Sequence, residues 1–131
     1  MKVIVADQAG VCFGVKRALD LVNAECERGG PLFTLGPLIH NPQVVRDLEA
    51  KGVRVARSIS EAQRAVVMPS HGVPREVLQK AEAAGLRVID ATCPFVAKVH
   101  ARVRHLAARG YTVVVVGDAG HSEVKAILSA A

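Results

Sequence analysis

Six polar residues sit where a fold could use them for chemistry. Each follows, by a few positions, a run that reads as a β-strand. Cys12 follows KVIVA at residues 2–6, and His40 follows the run 32–35. His71 lies in Pro69-Ser-His-Gly-Val73, after the run ending at Met68. Cys93 lies in Asp90-Ala-Thr-Cys-Pro94, after the run ending at Ile89. His121 and Glu123 lie in Gly120-His-Ser-Glu-Val124, after the run ending at Val116. In open α/β sheets the carboxyl ends of the strands and the facing helix N-termini form the ligand crevice. Two Cys, three His and one Glu are therefore predicted to face one mouth.

Helix N-termini favour thiolates, and thiolates bind soft metals. Structural zinc takes four ligands, often from close Cys pairs, and this chain has no CxxC. An iron–sulfur cluster accepts Cys from distant loops, and a zinc-binding structural domain stays open as an alternative that lacks close Cys spacing. Imidazoles beside backbone N–H groups suit a phosphate or diphosphate. A carboxyl near that anion, Glu123, could hold or deliver a proton; the plainer reading of Glu123 is an acid stabilising the first turn of a helix. Metal, anion site and acid together point to reductive removal of an oxygen group from a phosphorylated molecule. Cys26 stands apart. It lies fourteen residues past Cys12 in one predicted helix, roughly 21 Å along the axis at 1.5 Å per residue. His100 and His105 fall inside a predicted helix and read as helix-face residues.

Alternating strand and helix signals must position this set. Strands are predicted at 2–6, 32–35, 53–56, 65–68, 86–89 and 111–116, the last rich in β-branched residues. Helices are predicted from Phe13 to Arg28, from Asn41-Pro42 to about Lys51, from Pro74 to Gly85, from Pro94 to before Gly110, and after Gly120. Asn41-Pro42 pairs an N-cap with Pro at the first helical position. The fold class is α/β, with a mostly parallel sheet and helices on both faces. Two modules are predicted, 1–90 and 91–131. The second stops without a closing strand, so the chain reads as part of a longer protein.

Composition narrows the partners. Half of the 131 residues are apolar and 22% are charged, which permits a core. No apolar run is long enough to span a bilayer, and the first residues lack the form of a signal peptide. Three widely spaced Cys do not form a secreted disulfide framework, so a cytoplasmic protein is expected. With three Phe, one Tyr and no Trp there is no stacking surface for single-stranded nucleic acid. The net charge of +5 is dispersed and suits a small anionic substrate. No GxGxxG follows the first strand, which disfavours a dinucleotide-binding domain.

The motifs Gly10-Val-Cys-Phe-Gly-Val-Lys-Arg-Ala18, Ile39-His-Asn41, Ser70-His-Gly-Val73, Asp90-Ala-Thr-Cys-Pro94 and Gly120-His-Ser-Glu-Val124 occur in that order. Together they resemble the LytB family of 4-hydroxy-3-methylbut-2-enyl diphosphate reductases. The resemblance covers essentially the whole chain. It implies a three-module pseudo-symmetric fold around a 4Fe-4S cluster, of which this chain would supply the first module and part of the second. It implies Cys12 and Cys93 as cluster ligands and His40, His71 and His121 as the diphosphate pocket. Glu123 would relay a proton to the substrate hydroxyl. The products would be isopentenyl and dimethylallyl diphosphate, with ferredoxin or flavodoxin as electron donor. The third cluster Cys is missing from this chain, which the resemblance therefore marks as inactive alone. A non-catalytic phosphate-binding module is the alternative.

Overall fold

A computed structural model describes residues 1–7 and 9–131. Four short strands form its sheet: β1 (Leu32–Leu35), β2 (Val53–Ala56), β3 (Ala65–Met68) and β4 (Arg87–Asp90). All are parallel, in the order β2-β1-β3-β4. The chain steps from β1 outward to β2 and from β3 outward to β4 on the other side, so the β1/β3 junction is the topological switch point. The helices are α1 (Phe13–Glu27), α2 (Pro42–Ala50), α3 (Arg75–Ala83), α4 (Pro94–Ala108) and α5 (Ser122–Leu128).

Strand periodicity sends alternate side chains to opposite faces. On β3, Ala65 and Val67 join Ala18 and Val22 of α1 and Leu48 of α2 in one core layer. Val66 and Met68 join Ala81 of α3 in the other, with Leu78 packed alongside. Both faces are covered, which explains why all four β3 residues are buried and why the strand carries no polar residue. The α/β class with a parallel sheet and helices on both faces is thus observed. At the opposite edge of the layer, Glu25 of α1 is an ion-pair partner of Arg87 on β4 and of Arg28.

Two predicted strands are absent. Residues 2–6 and 111–116 adopt no strand. Val3, Ile4 and Val5 are 73–78% exposed, and Val114 and Val116 are 80% and 95% exposed. β-propensity expresses packing and ladder formation on a partner strand rather than a backbone preference. Neither segment finds a ladder along the free edges of β2 or β4. β4 also runs Arg87–Asp90 rather than 86–89, a shift of one residue.

Candidate active site

The loops leaving β1, β3 and β4 are tied to one another. Ser70 N–H donates to the Leu38 carbonyl at 3.0 Å, and Cys93 N–H donates to the Ser70 carbonyl at 2.8 Å. The three loops therefore form a continuous floor across the switch point. His40 sits at the apex of a tight turn that Asn41 N–H closes onto the Ile39 carbonyl at 2.8 Å. The Asn41 side chain then caps α2, accepting from the N–H groups of Gln43 and Val44. His71 sits in a turn closed by Gly72 N–H on the Pro69 carbonyl at 3.0 Å. The two imidazoles stack with ring centroids 5.0 Å apart. His121 joins them, its ring 5.5 Å from that of His40.

His121 is the N-cap of α5, and its Nδ1 accepts from Glu123 N–H at 3.3 Å. That bond leaves the ring proton on Nε2, facing away from the helix as a donor. Glu123, two residues on, is half-buried in the first turn of α5.

Of the three imidazoles, His71 is the one whose protonation its surroundings oppose. His71 is lowered from 6.5 to about 4, first by burial and then by the charges of His40 and His121. Its Nδ1 is buried without a hydrogen-bond partner. The unfolded chain binds this proton at higher pH than the folded one. The neutral ring's contribution to stability is thus fully present above 6.5 and is lost as pH falls toward about 4. An unpartnered imidazole that resists charging in isolation is suited to an anionic ligand, which would reverse the penalty.

Cys12 and Cys93 are N-caps, of α1 and α4. Both thiols are free, Cys12 exposed and Cys93 half-buried. The Cys93 thiol lies against the first turn of α1. A Cβ added at Gly14 would stand 2.6 Å from Cys93 Sγ. Gly14 is two residues from Cys12, so both cysteines border the first turn of α1. Cys26 is near the far end of α1, packed against the core, as expected. Among the described residues no group of three or more His, Cys, Asp or Glu is placed to hold a metal ion.

All six candidate residues thus come from the loops and helix starts at one edge of the layer, His40 and His71 on either side of the switch point. Cys12 and His121 arrive there without the strands predicted before them. Sequence reasoning missed three residues. Gly14 interrupts a helix with a residue that costs about 1 kcal/mol against Ala, a signal of close approach. Arg17 holds the Asp90–Thr92 loop through Thr92 and Asp90 carbonyls. His100 is not a surface helix-face residue: it is 9% exposed, with Nε2 unpartnered. Its imidazole backs the His71 turn, since a Cβ at Gly72 would stand 2.8 Å from His100 Cε1. Burial and then Arg104 lower its pKa, against smaller opposing effects of Glu123 and Asp90.

A model of the LytB protein family matches residues 3–131. The chain belongs to the LytB family. It is 49% identical over 130 residues to the 4-hydroxy-3-methylbut-2-enyl diphosphate reductase of Geotalea uraniireducens, covering 98% of this chain and 46% of that one. The Geobacter metallireducens reductase is 48% identical, with the same coverage. A solved structure of (E)-4-hydroxy-3-methyl-but-2-enyl diphosphate reductase, described as the terminal enzyme of the non-mevalonate pathway, superposes with a TM-score of 0.85 at 44% identity, over 98% of this chain and 46% of that one. The Plasmodium falciparum reductase structure gives a TM-score of 0.91 at 28% identity, over 95% of this chain and 40% of that one. The chain spans about half the length of the curated relatives it matches. No helix among the described residues is long and apolar enough to cross a membrane.

Proposed function

We propose that this chain supplies the diphosphate pocket and two cluster ligands of a cytoplasmic enzyme that reduces 4-hydroxy-3-methylbut-2-enyl diphosphate to isopentenyl and dimethylallyl diphosphate. The observation that carries the reading is the three-histidine cluster, with His40 5.0 Å from His71 and 5.5 Å from His121. It is joined through the Ser70 carbonyl to the loop that bears Cys93. A diphosphate needs several donors on one side. His121 offers Nε2–H, and His71 has an unpartnered Nδ1.

The residues present fit an iron–sulfur cluster in part. The Cys93 thiol lies against the first turn of α1, whose N-cap is Cys12, whereas a cluster needs at least one more ligand than the described residues bring together. Cys12 and Cys93 would hold it, and when bound it supplies the electrons for reduction. The histidines bind and orient the diphosphate, which fixes the carbon end of the substrate relative to the sulfurs. Glu123 holds the proton that leaves with the hydroxyl as water. Ferredoxin or flavodoxin is the proposed electron donor. The proposed division is a first module, 1–90, and the beginning of a second, 91–131, in a three-module assembly that the longer relatives complete.

The test compares the 131-residue chain with a chimera in which these residues are joined to the remainder of the Geotalea uraniireducens relative. Both are reconstituted anaerobically with iron and sulfide and assayed with reduced mediator. The chimera is expected to turn brown and to reduce the diphosphate, and the 131-residue chain to do neither. A colourless, inactive chimera that is folded would reduce the chain to a phosphate-binding module. Robust turnover by the short chain would overturn the division of ligands.

A further inference from the structure

The geometry points to Arg17 as a positioning residue that sets where the Cys93 thiol stands relative to Cys12. This goes beyond the reductase reading but takes from it the role of the two sulfurs. Arg17 is half-buried on α1, five residues after Cys12. Its Nη1 donates to the Thr92 carbonyl at 3.2 Å and its Nη2 to the Asp90 carbonyl at 3.4 Å. The fork thus grips two carbonyls of the four-residue segment that ends at Cys93. Among the described residues neither carbonyl accepts a backbone N–H outside the strand ladder, since one ends β4 and the other precedes α4.

The rest of the segment is locked from its other sides. Ala91 N–H donates to the Met68 carbonyl at 3.2 Å, and Cys93 N–H donates to the Ser70 carbonyl at 2.8 Å. Asp90 Oδ1 accepts from Thr92 N–H at 2.9 Å and also from the Thr92 hydroxyl. These bonds fix the segment to β3 and to the His71 loop. Among the described residues only Arg17 ties it by side-chain hydrogen bonds to α1. Gly14 completes the device: it leaves the gap that the Cys93 sulfur fills, and Arg17, one turn further on, pulls the segment into that gap. Arg is suited to this and Lys is not, because the planar fork reaches two carbonyls at once.

Hydrogen exchange in the 131-residue chain tests the assignment, using Arg17→Met and Arg17→Lys. The readout is the ratio of exchange at residues 91–93 to exchange at residues 65–68 of β3. Net hydrogen-bond contributions set the expected size: in Arg17→Met the loop amides exchange about tenfold faster while the β3 amides keep their rate. Arg17→Lys falls between Met and the parent. Unchanged loop exchange in Arg17→Met overturns the proposal. So does equal acceleration of loop and β3, which is the mark of a general loss of stability. So does a Lys variant no better than Met. If Arg17→Met does not fold, Arg17→Lys carries the test alone, and its loop amides must exchange faster than the parent's with β3 unchanged. The measurement needs no cluster, substrate or electron donor, so loss of the reductase reading leaves its result standing.

Discussion

Replacing Glu123 with Gln in the full-length chimera is expected to lower turnover by about 10²–10⁴-fold while substrate still binds. The amide keeps the shape of the side chain and removes its proton. The competing role of Glu123 is to stabilise the first turn of α5, where it follows the N-cap His121. An acid in that place contributes about 0.3–1 kcal/mol, which corresponds to less than tenfold in any equilibrium. The two roles thus differ by at least an order of magnitude in what they predict. The His121 cap also survives the substitution, because the Glu123 group that donates to Nδ1 is the backbone N–H. Steady-state kinetics decide between them: a fall in kcat with KM nearly unchanged marks the proton carrier. A rise in KM with kcat preserved, together with a lowered melting temperature, marks the structural acid.

Cys12→Ser and Cys93→Ser should each abolish stable iron retention in the chimera, whereas Cys26→Ser should leave it intact. Serine is nearly isosteric, so folding is preserved, but it is a much harder ligand than a thiolate. Cys26 is the internal control, a thiol near the far end of α1 that packs against the core. Iron content per chain after desalting, with the visible absorbance of thiolate-to-iron bands, measures the effect. Gly14→Ala adds a positional version of the same test. In an ordinary helix that change stabilises by up to about 1 kcal/mol. Here the added carbon would stand 2.6 Å from Cys93 Sγ, so iron retention should fall even where helix stability rises. Equal iron retention in all four variants would mean that the two sulfurs are bystanders.

Much of this site is legible in the sequence because strand periodicity and helix starts decide it locally. β1, β2 and β3 fall where alternating and buried apolar runs place them. Their parallel order then brings His40 and His71 to either side of the switch point. Cys12, Cys93 and His121 are each helix N-caps, a position marked by the Phe13 helix pattern, by Pro94 and by Gly120. What was not legible depends on partners remote in sequence. Residues 2–6 and 111–116 carry strong strand composition, but a strand is a relation to a neighbour, and neither segment is laddered to one. Arg17 shows only a basic residue on a helix until the fold places the Asp90 and Thr92 carbonyls before it. His100 looks like a helix-face polar residue, because its burial arises from the turn at Gly72, whose φ is +79° and which leaves room for the ring.

The account depends on three imidazoles converging to receive one anion. The most direct measurement is an NMR titration of the His40, His71 and His121 ring protons with inorganic pyrophosphate, repeated across pH. All three should respond along one saturable curve. At saturation the His71 midpoint should rise from about 4 to 6.5 or above, because a bound anion opposes the burial and the neighbouring charges that lower it. Three unrelated responses, or a His71 midpoint that ignores pyrophosphate, would contradict the shared pocket.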